Sequence, residues 1–244
     1  MAENEIAPGI EILDLALWLP GERTLIFGDL HLGIEEAMNL REGVLLPRKN
    51  FEDIKKRLKE KVFGVTGRVK RVIINGDLKH EFGAISKQEW KEVIQMVQFI
   101  AERCDEVLLV KGNHDRIIGP LAGWSRLKLV DEFYITDIHC LALHGHEVKN
   151  SESYKKAKIL VMCHDHPAIT IREGAKAETY KAFLKGTYNG KTLIVLPSLN
   201  SVRIGTNIAN EQTLSPMLKG SLKEFEVWAV EDKPYYFGKL GGLG

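Results

Sequence analysis

Seven residues of metal-ligand type, Asp29, His31, Asp77, Asn113, His144, His164 and His166, sit in short blocks: Asp29-x-His31, Asp77, Gly112-Asn113-His114-Asp115, His144 and His164-x-His166. Their oxygen and nitrogen donors suit two divalent cations and the hydrolysis of a phosphate ester. An aspartate shared by two cations offsets their mutual repulsion, and Asp77, in the middle of the order, is the natural bridge. Asp29 with His31, and His164 with His166, are i, i+2 pairs, so both members of a pair can turn toward one metal across a tight loop. The mixture of carboxylate, amide and imidazole favours Mn, Fe, Zn or Ni over Mg or Ca. Two such ions, about 3.5–4 Å apart, would activate a bridging water as hydroxide and hold the phosphate oxygens in the transition state.

His114 follows Asn113 and is expected to face the substrate, where it could protonate the leaving alkoxide. Asp115 has two expectations of equal weight. It could accept from the other ring nitrogen of His114 and set its tautomer, or it could cap a helix beginning near Arg116.

These residues need elements to position them. Apolar runs at 23–27, 71–74, 107–110, 139–143 and 159–162 read as buried strands, each with ligand-type residues at its C-terminal tip. Open α/β sheets gather their sites at such tips. Helix-like segments lie at 34–41, 48–63, 87–103 and 153–157, and Trp90, Val93, Ile94, Val97 and Ile100 form one apolar stripe. After His166 come shorter strand patterns at 168–171, 179–184, 192–196, 225–230 and 235–237, with Asn189-Gly190 as a hairpin turn. Asp29 and His166 must meet at one metal pair, so the two halves cannot be separate domains. The expected fold is α/β: a four-layer α/β/β/α sandwich of two mixed sheets over 1–244. The 200–219 segment reads as a lid or a surface excursion, and the glycine-rich end from Gly238 as a flexible tail.

Composition is compatible with this. The 244 residues are 44% hydrophobic and 27% charged, as in ordinary globular domains. No apolar run is long enough to span a bilayer, and Met1 to Gly9 lacks a basic start, so a cytoplasmic location and no membrane partner are expected. Cys104, Cys140 and Cys163 lack C-x-x-C spacing and suggest neither a disulfide framework nor a zinc site. The net charge of +1 lends no support to a nucleic-acid partner. Basic clusters around Lys55, Arg68 and Lys155 suit such a partner but read first as solvated faces. The four tryptophans, Trp18, Trp90, Trp124 and Trp228, read as core aromatics.

The strings Gly28-Asp-Leu-His-Leu-Gly33, Gly76-Asp77, Gly112-Asn-His-Asp115, His144-Gly145 and His164-x-His166-Pro167 resemble, in order, the five signature blocks of the calcineurin-like metallophosphoesterases. Gly76-Asp-Leu-x-His80 and Asn113-His-Asp-Arg116 are most similar to the ligase-associated DNA-damage-response phosphodiesterases (PdeM-like) and their archaeal relatives. The resemblance covers about 27–167. It implies one metal on Asp29, His31, Asp77 and His166, and a second on Asp77, Asn113, His144 and His164. It also implies manganese-dependent phosphodiester cleavage, and it places the metal on His144 rather than His146. One departure is Cys163, where the family has glycine: a buried inert thiol there would be harmless, whereas a crowded one would shift His164. Asp165 could be an acceptor beside the ligands. His80, Arg116 and His146 are candidates for substrate contact, with solvated or salt-bridged loop positions as the alternative.

The sequence therefore leads to a dinuclear metal-dependent phosphodiesterase acting on nucleic-acid or nucleotide-type diesters. A phosphomonoesterase or nucleotide phosphatase, or a catalytically weak metal-binding scaffold, are the alternatives. Substrate and oligomeric state are not legible.

Overall fold

The computed structural model describes residues 4–83, 85–119, 126–174 and 176–243. Strands β1 (Glu5–Ala7), β2 (Ile10–Leu13), β3 (Ala16–Leu19), β4 (Thr24–Phe27), β5 (Val69–Ile74), β6 (Cys104–Val110) and β7 (Leu127–Val130) form a seven-stranded sheet in sequential order. β1 to β4 pair antiparallel, and β4 to β7 pair parallel. Every residue of β4 is buried, as are the last residues of β5 and β6, because helices and the second sheet cover the two faces.

Two helical crossovers join the parallel strands. Between β4 and β5, α1 (Ile34–Glu42) is followed by α2 (Asn50–Arg57), a π turn (Leu58–Phe63) and a last helical turn to Thr66. Between β5 and β6 lies α3 (Lys87–Ala101), whose N-cap Ser86 accepts from Glu89 N–H at 3.1 Å. Its Val93, Met96, Val97 and Ile100 are almost fully buried, each contributing about 1.5–3 kcal/mol of apolar burial.

The second sheet holds β8 (Phe133–Ile135), β9 (Cys140–Ala142), β10 (Ile159–Met162), β11 (Pro167–Glu173), β12 (Lys176–Tyr188), β13 (Lys191–Val195), β14 (Thr206–Asn207), β15 (Glu226–Val230) and β16 (Pro234–Lys239). It is mixed: β9, β10 and β13 run parallel, and β12 pairs antiparallel with β11, β13 and β15. The β12–β13 hairpin turns at Asn189 and Gly190, with φ of 49° and 73°. One continuous core includes Phe27, Ile73 and Leu108 of the first sheet with Ala142, Val161 and Phe183 of the second. The opposite face of the second sheet is covered by Tyr154 on the short α4 (Glu152–Lys156), Met217, Leu218 and Leu240.

The expected two-sheet α/β fold is present. The β1–β3 meander was not legible, since strands of three or four residues carry little periodicity. Where a flexible tail was expected, Gly238 and Lys239 end β16, and a 3₁₀ turn follows with Leu240 buried. Trp18, Trp90 and Trp228 pack in or against the core, and Trp124 lies outside the described residues. No helix among the described residues is long and apolar enough to cross a membrane.

Candidate metal centre

Asp29 and His31 follow β4, Asp77 follows β5, Asn113 follows β6, His144 follows β9, and His164 and His166 follow β10. The tips of adjacent parallel strands in each sheet meet at one end of the sandwich. Asn75 ties the two sheets together there: its side-chain amide donates to Leu143 O at 3.0 Å and to Val161 O at 3.2 Å. Backbone bonds join the ligand loops directly, from Asp29 N–H to Gly76 O (2.9 Å) and His31 N–H to Asp77 O (3.0 Å).

The local backbone is unusual. Asp29, His31, Asp77, His164 and His166 all have positive φ, between 45° and 77°. Such a conformation costs a non-glycine residue of order 1 kcal/mol or more, and it persists where surrounding structure enforces it at functional sites. Here it turns i, i+2 side chains off the strand direction and into one space. Gly76 makes the approach of His144 feasible, since a Cβ there would lie 2.0 Å from His144 Nδ1.

Donor atoms of Asp29, His31 and His166 lie within 4.8 Å of one another, as do those of Asp77, His144 and His164. Asp77 Oδ2 stands between the two groups, 3.8 Å from His31 Nε2 and 3.3 Å from His144 Nε2. Asn113 Oδ1 is 3.1 Å from His144 Nε2, so all seven sequence-selected residues are brought together. His144 Nδ1–H donates to Asn75 O at 3.0 Å, which fixes the tautomer and leaves Nε2 for a cation. Burial would lower the His144 pKa, but Asp77 and Asp29 override it and raise it to about 9. Burial pushes His164 down to about 4, helped by the neighbouring His144.

The donors fit a cation on one direct observation. Asp29 is fully buried, yet its Oδ1 has no hydrogen-bond partner. Burial opposes its charge, but His166 and His144 hold the carboxyl below its usual range, so an ionised oxygen is left unsatisfied inside the protein. Orphaned buried charges are expensive, and a cation would satisfy this one.

His114 is placed beside this group. Its Nδ1–H donates to His80 O, and its Nε2 faces Asp77 Oδ2 at 3.9 Å. His80 is also present: Nδ1 lies 3.3 Å from His31 Nδ1, and burial together with His114, Arg203 and Arg41 presses its pKa down to about 4. The ring of His146 lies 5.3 Å from that of His144 and 6.2 Å from that of His164. Arg116 is exposed.

Asp115 corrects one expectation. It does not meet the His114 ring, whose Nδ1 is already taken by His80 O. Its carboxylate accepts from the backbone N–H of Asp77 (2.7 Å), Leu78 (3.2 Å) and Gly112 (3.0 Å), clamping the Asp77 turn onto the Asn113 turn. Arg116 and Ile117 form a turn rather than a helix start, and the chain at 120–125 lies outside the described residues. Asp165 likewise points away from the metal residues and accepts from Leu214 N–H (2.6 Å) and Ser215 N–H (3.1 Å). This docks the 200–219 segment at the site.

The Cys163 departure is accommodated. Cys163 does not take a positive φ, so glycine is not needed for the backbone. Its sulfur fills the space over Gly28, where a Cβ would lie 2.7 Å from Sγ. Burial and Asp29 push the thiol pKa well above its usual value, as for an inert core sulfur. Sequence reasoning missed Asn75, Asn50 and Asn200, although a buried Asn before Gly-Asp was visible. Asn50 and Asn200 both donate to Leu30 O, at 3.0 and 3.3 Å, steadying the loop between Asp29 and His31.

The chain has no match among curated proteins. Its structure is similar to that of the Pseudomonas putida nuclease MPE, with 18% identity, 93% of this chain and 94% of that chain covered, and a TM-score of 0.64. Weaker similarities include vacuolar protein sorting 29 of Cryptosporidium parvum (18% identity, 88% and 97% covered, TM-score 0.39). A predicted phosphoesterase of Streptococcus pneumoniae is another (14% identity, 88% and 97% covered, TM-score 0.34). The family model described as calcineurin-like phosphoesterase matches residues 22–204. The chain belongs to the calcineurin-like phosphoesterase family.

Proposed function

We propose that this protein is a dinuclear metal-dependent phosphodiesterase that hydrolyses nucleic-acid or nucleotide-type diesters. The observation that carries the reading is the position of Asp77 Oδ2 between the His31 and His144 nitrogens, with the unsatisfied Asp29 Oδ1 beside them. Asp29, His31, Asp77 and His166 would hold one cation, and Asp77, Asn113, His144 and His164 the other. Two divalent ions there, manganese by the family resemblance of the motifs, would supply a nucleophile at neutral pH and Lewis-acid polarisation of the phosphate.

The protein's own groups do the rest. Because His114 Nδ1–H is tied to His80 O, Nε2 is the ring atom that faces the site, and burial lowers the ring's pKa, which favours an unprotonated Nε2. A ring that takes up a proton at Nε2 would donate it to the leaving alkoxide. His80, Arg116 and His146 would contact the phosphate. The PdeM-like assignment rests on Gly76-Asp-Leu-x-His80 and Asn113-His-Asp-Arg116, and His80 lies within donor distance of His31 and His114. Cys104, Cys140 and Cys163 are unpaired and buried, which suits a reducing, cytoplasmic setting.

The test is hydrolysis of a chromogenic phosphodiester beside its monoester, with metal-stripped protein and with added Mn²⁺. Diester turnover only with metal is the expected result. Preference for the monoester would favour a phosphatase, and no turnover of either despite bound metal would favour the scaffold.

A further inference from the structure

We propose that Phe82 is a stacking platform that binds a nucleobase attached beside the scissile phosphate, making it a specificity-determining residue of this site. The inference rests on the phosphodiesterase reading above and names what that substrate must carry.

The Phe82 ring lies 3.7 Å, centroid to centroid, from the His114 ring at an interplanar angle of 30°. His114 in turn stacks over His80 at 5.3 Å and 25°. His114 is thus flanked by both rings, His80, beside His31, and Phe82, which is 48% exposed. A phenylalanine gains about 1.5–3 kcal/mol from full burial, so a half-open ring on top of a proposed catalytic histidine is a notable expense of the fold.

Ile117, Val148, Ile204 and Leu214, in segments next to the site residues in the chain, are each 46–68% exposed. Ile117 follows the His114 turn, and Val148 lies two residues after His146. Ile204 adjoins Arg203, whose charge reaches His80. Leu214 N–H is held by Asp165, between the ligands His164 and His166. The segments flanking the metal residues thus carry apolar side chains where an enzyme for a small, fully ionised phosphate would place donors. The observation that carries the proposal is the half-exposed Phe82 ring packed directly against His114. A planar base matches it, because every nucleobase offers a π face and stacking tolerates all four sequences.

The test uses the intact protein and a 2-aminopurine dinucleotide with a hydrolysis-resistant methylenephosphonate link, read by fluorescence quenching. Wild type should quench on binding, and an abasic counterpart should bind about tenfold more weakly. Phe82→Ala should remove most of the quenching and bring the two affinities together, and Phe82→Trp should restore both differences. Equal quenching in wild type and Phe82→Ala, equal affinities for the two ligands in wild type, or no quenching at all would each overturn the platform. The last result would leave the rim to a protein partner. Because the readout needs no turnover, a protein that quenches but hydrolyses no diester would retire the phosphodiesterase reading alone.

Discussion

Around Asp77 the imidazole of His144 is held at both nitrogens, by Asn75 O on one side and by Asp77 and Asn113 on the other. Around Asp29 the corresponding groups are less satisfied: Oδ1 has no partner, and burial together with His166 presses His31 well below its ordinary pKa. His166 also keeps 22% of its side chain open. Asp77 therefore has His144 close beside it at 3.3 Å, while Asp29, whose charge is offset by His166 and the more distant His144, keeps one buried oxygen without a hydrogen-bond partner. If each half holds a cation as proposed, the difference teaches that the two need not fill alike: the Asp29 half would offer an unpartnered carboxylate oxygen, and the Asp77 half would have to release the His144 proton first.

Asp77→Ala breaks the comparison at the residue the halves share. Metal content should fall below two ions per chain, and diester turnover should drop about a thousandfold, equivalent to about 4 kcal/mol, read by metal analysis and steady-state kinetics. His114→Ala belongs to neither half. It should lower kcat about a hundredfold while both metals stay bound, and an unchanged kcat would remove His114 as proton carrier. Asp115→Ala strikes the Asp77 half through its turn. It leaves the N–H groups of Asp77, Leu78 and Gly112 without their acceptor, so urea denaturation should show a loss of about 3 kcal/mol. Metal affinity should weaken about 10- to 100-fold.

A pH series sharpens the comparison without mutation. His144 has its pKa raised to about 9, so at pH 7 it is protonated before metal enters. Uptake in that half should release about one proton, and its apparent affinity should rise up to about tenfold per pH unit between pH 6 and 8. Calorimetry in buffers of different ionisation enthalpy counts that proton, and the Asp29 half should show no such release from its carboxylate. The smallest effect is expected of Cys163→Gly: a stability loss of about 1–2 kcal/mol from the void over Gly28, with metal content unchanged.

The gathering of the seven candidate ligands was legible because their residue types fall at the ends of apolar runs, and such runs form buried parallel strands for lack of any polar face. Where those side chains point was not. Sequence offers no rule that puts Asp29, His31, Asp77, His164 and His166 in left-handed backbone; the neighbouring loops impose it through bonds such as Leu199 N–H to Gly28 O and Asn200 N–H to Asp29 O. Asp115 was misassigned because its partners, the amides after β5, lie far away in the chain and carry no side-chain signature. The 200–219 segment read as a loop, and its tethers, Asn200 to Leu30 O and Ser215 to Gly145 O, are contacts of high sequence separation that periodicity does not register.

The measurement that tests the centre most directly is electron paramagnetic resonance of metal-stripped protein titrated with Mn²⁺, paired with metal analysis. The account predicts two Mn²⁺ per chain and an exchange-coupled signal from a pair sharing Asp77, which disappears in Asp77→Ala. One ion per chain, or two ions giving only the uncoupled six-line spectrum, would contradict it.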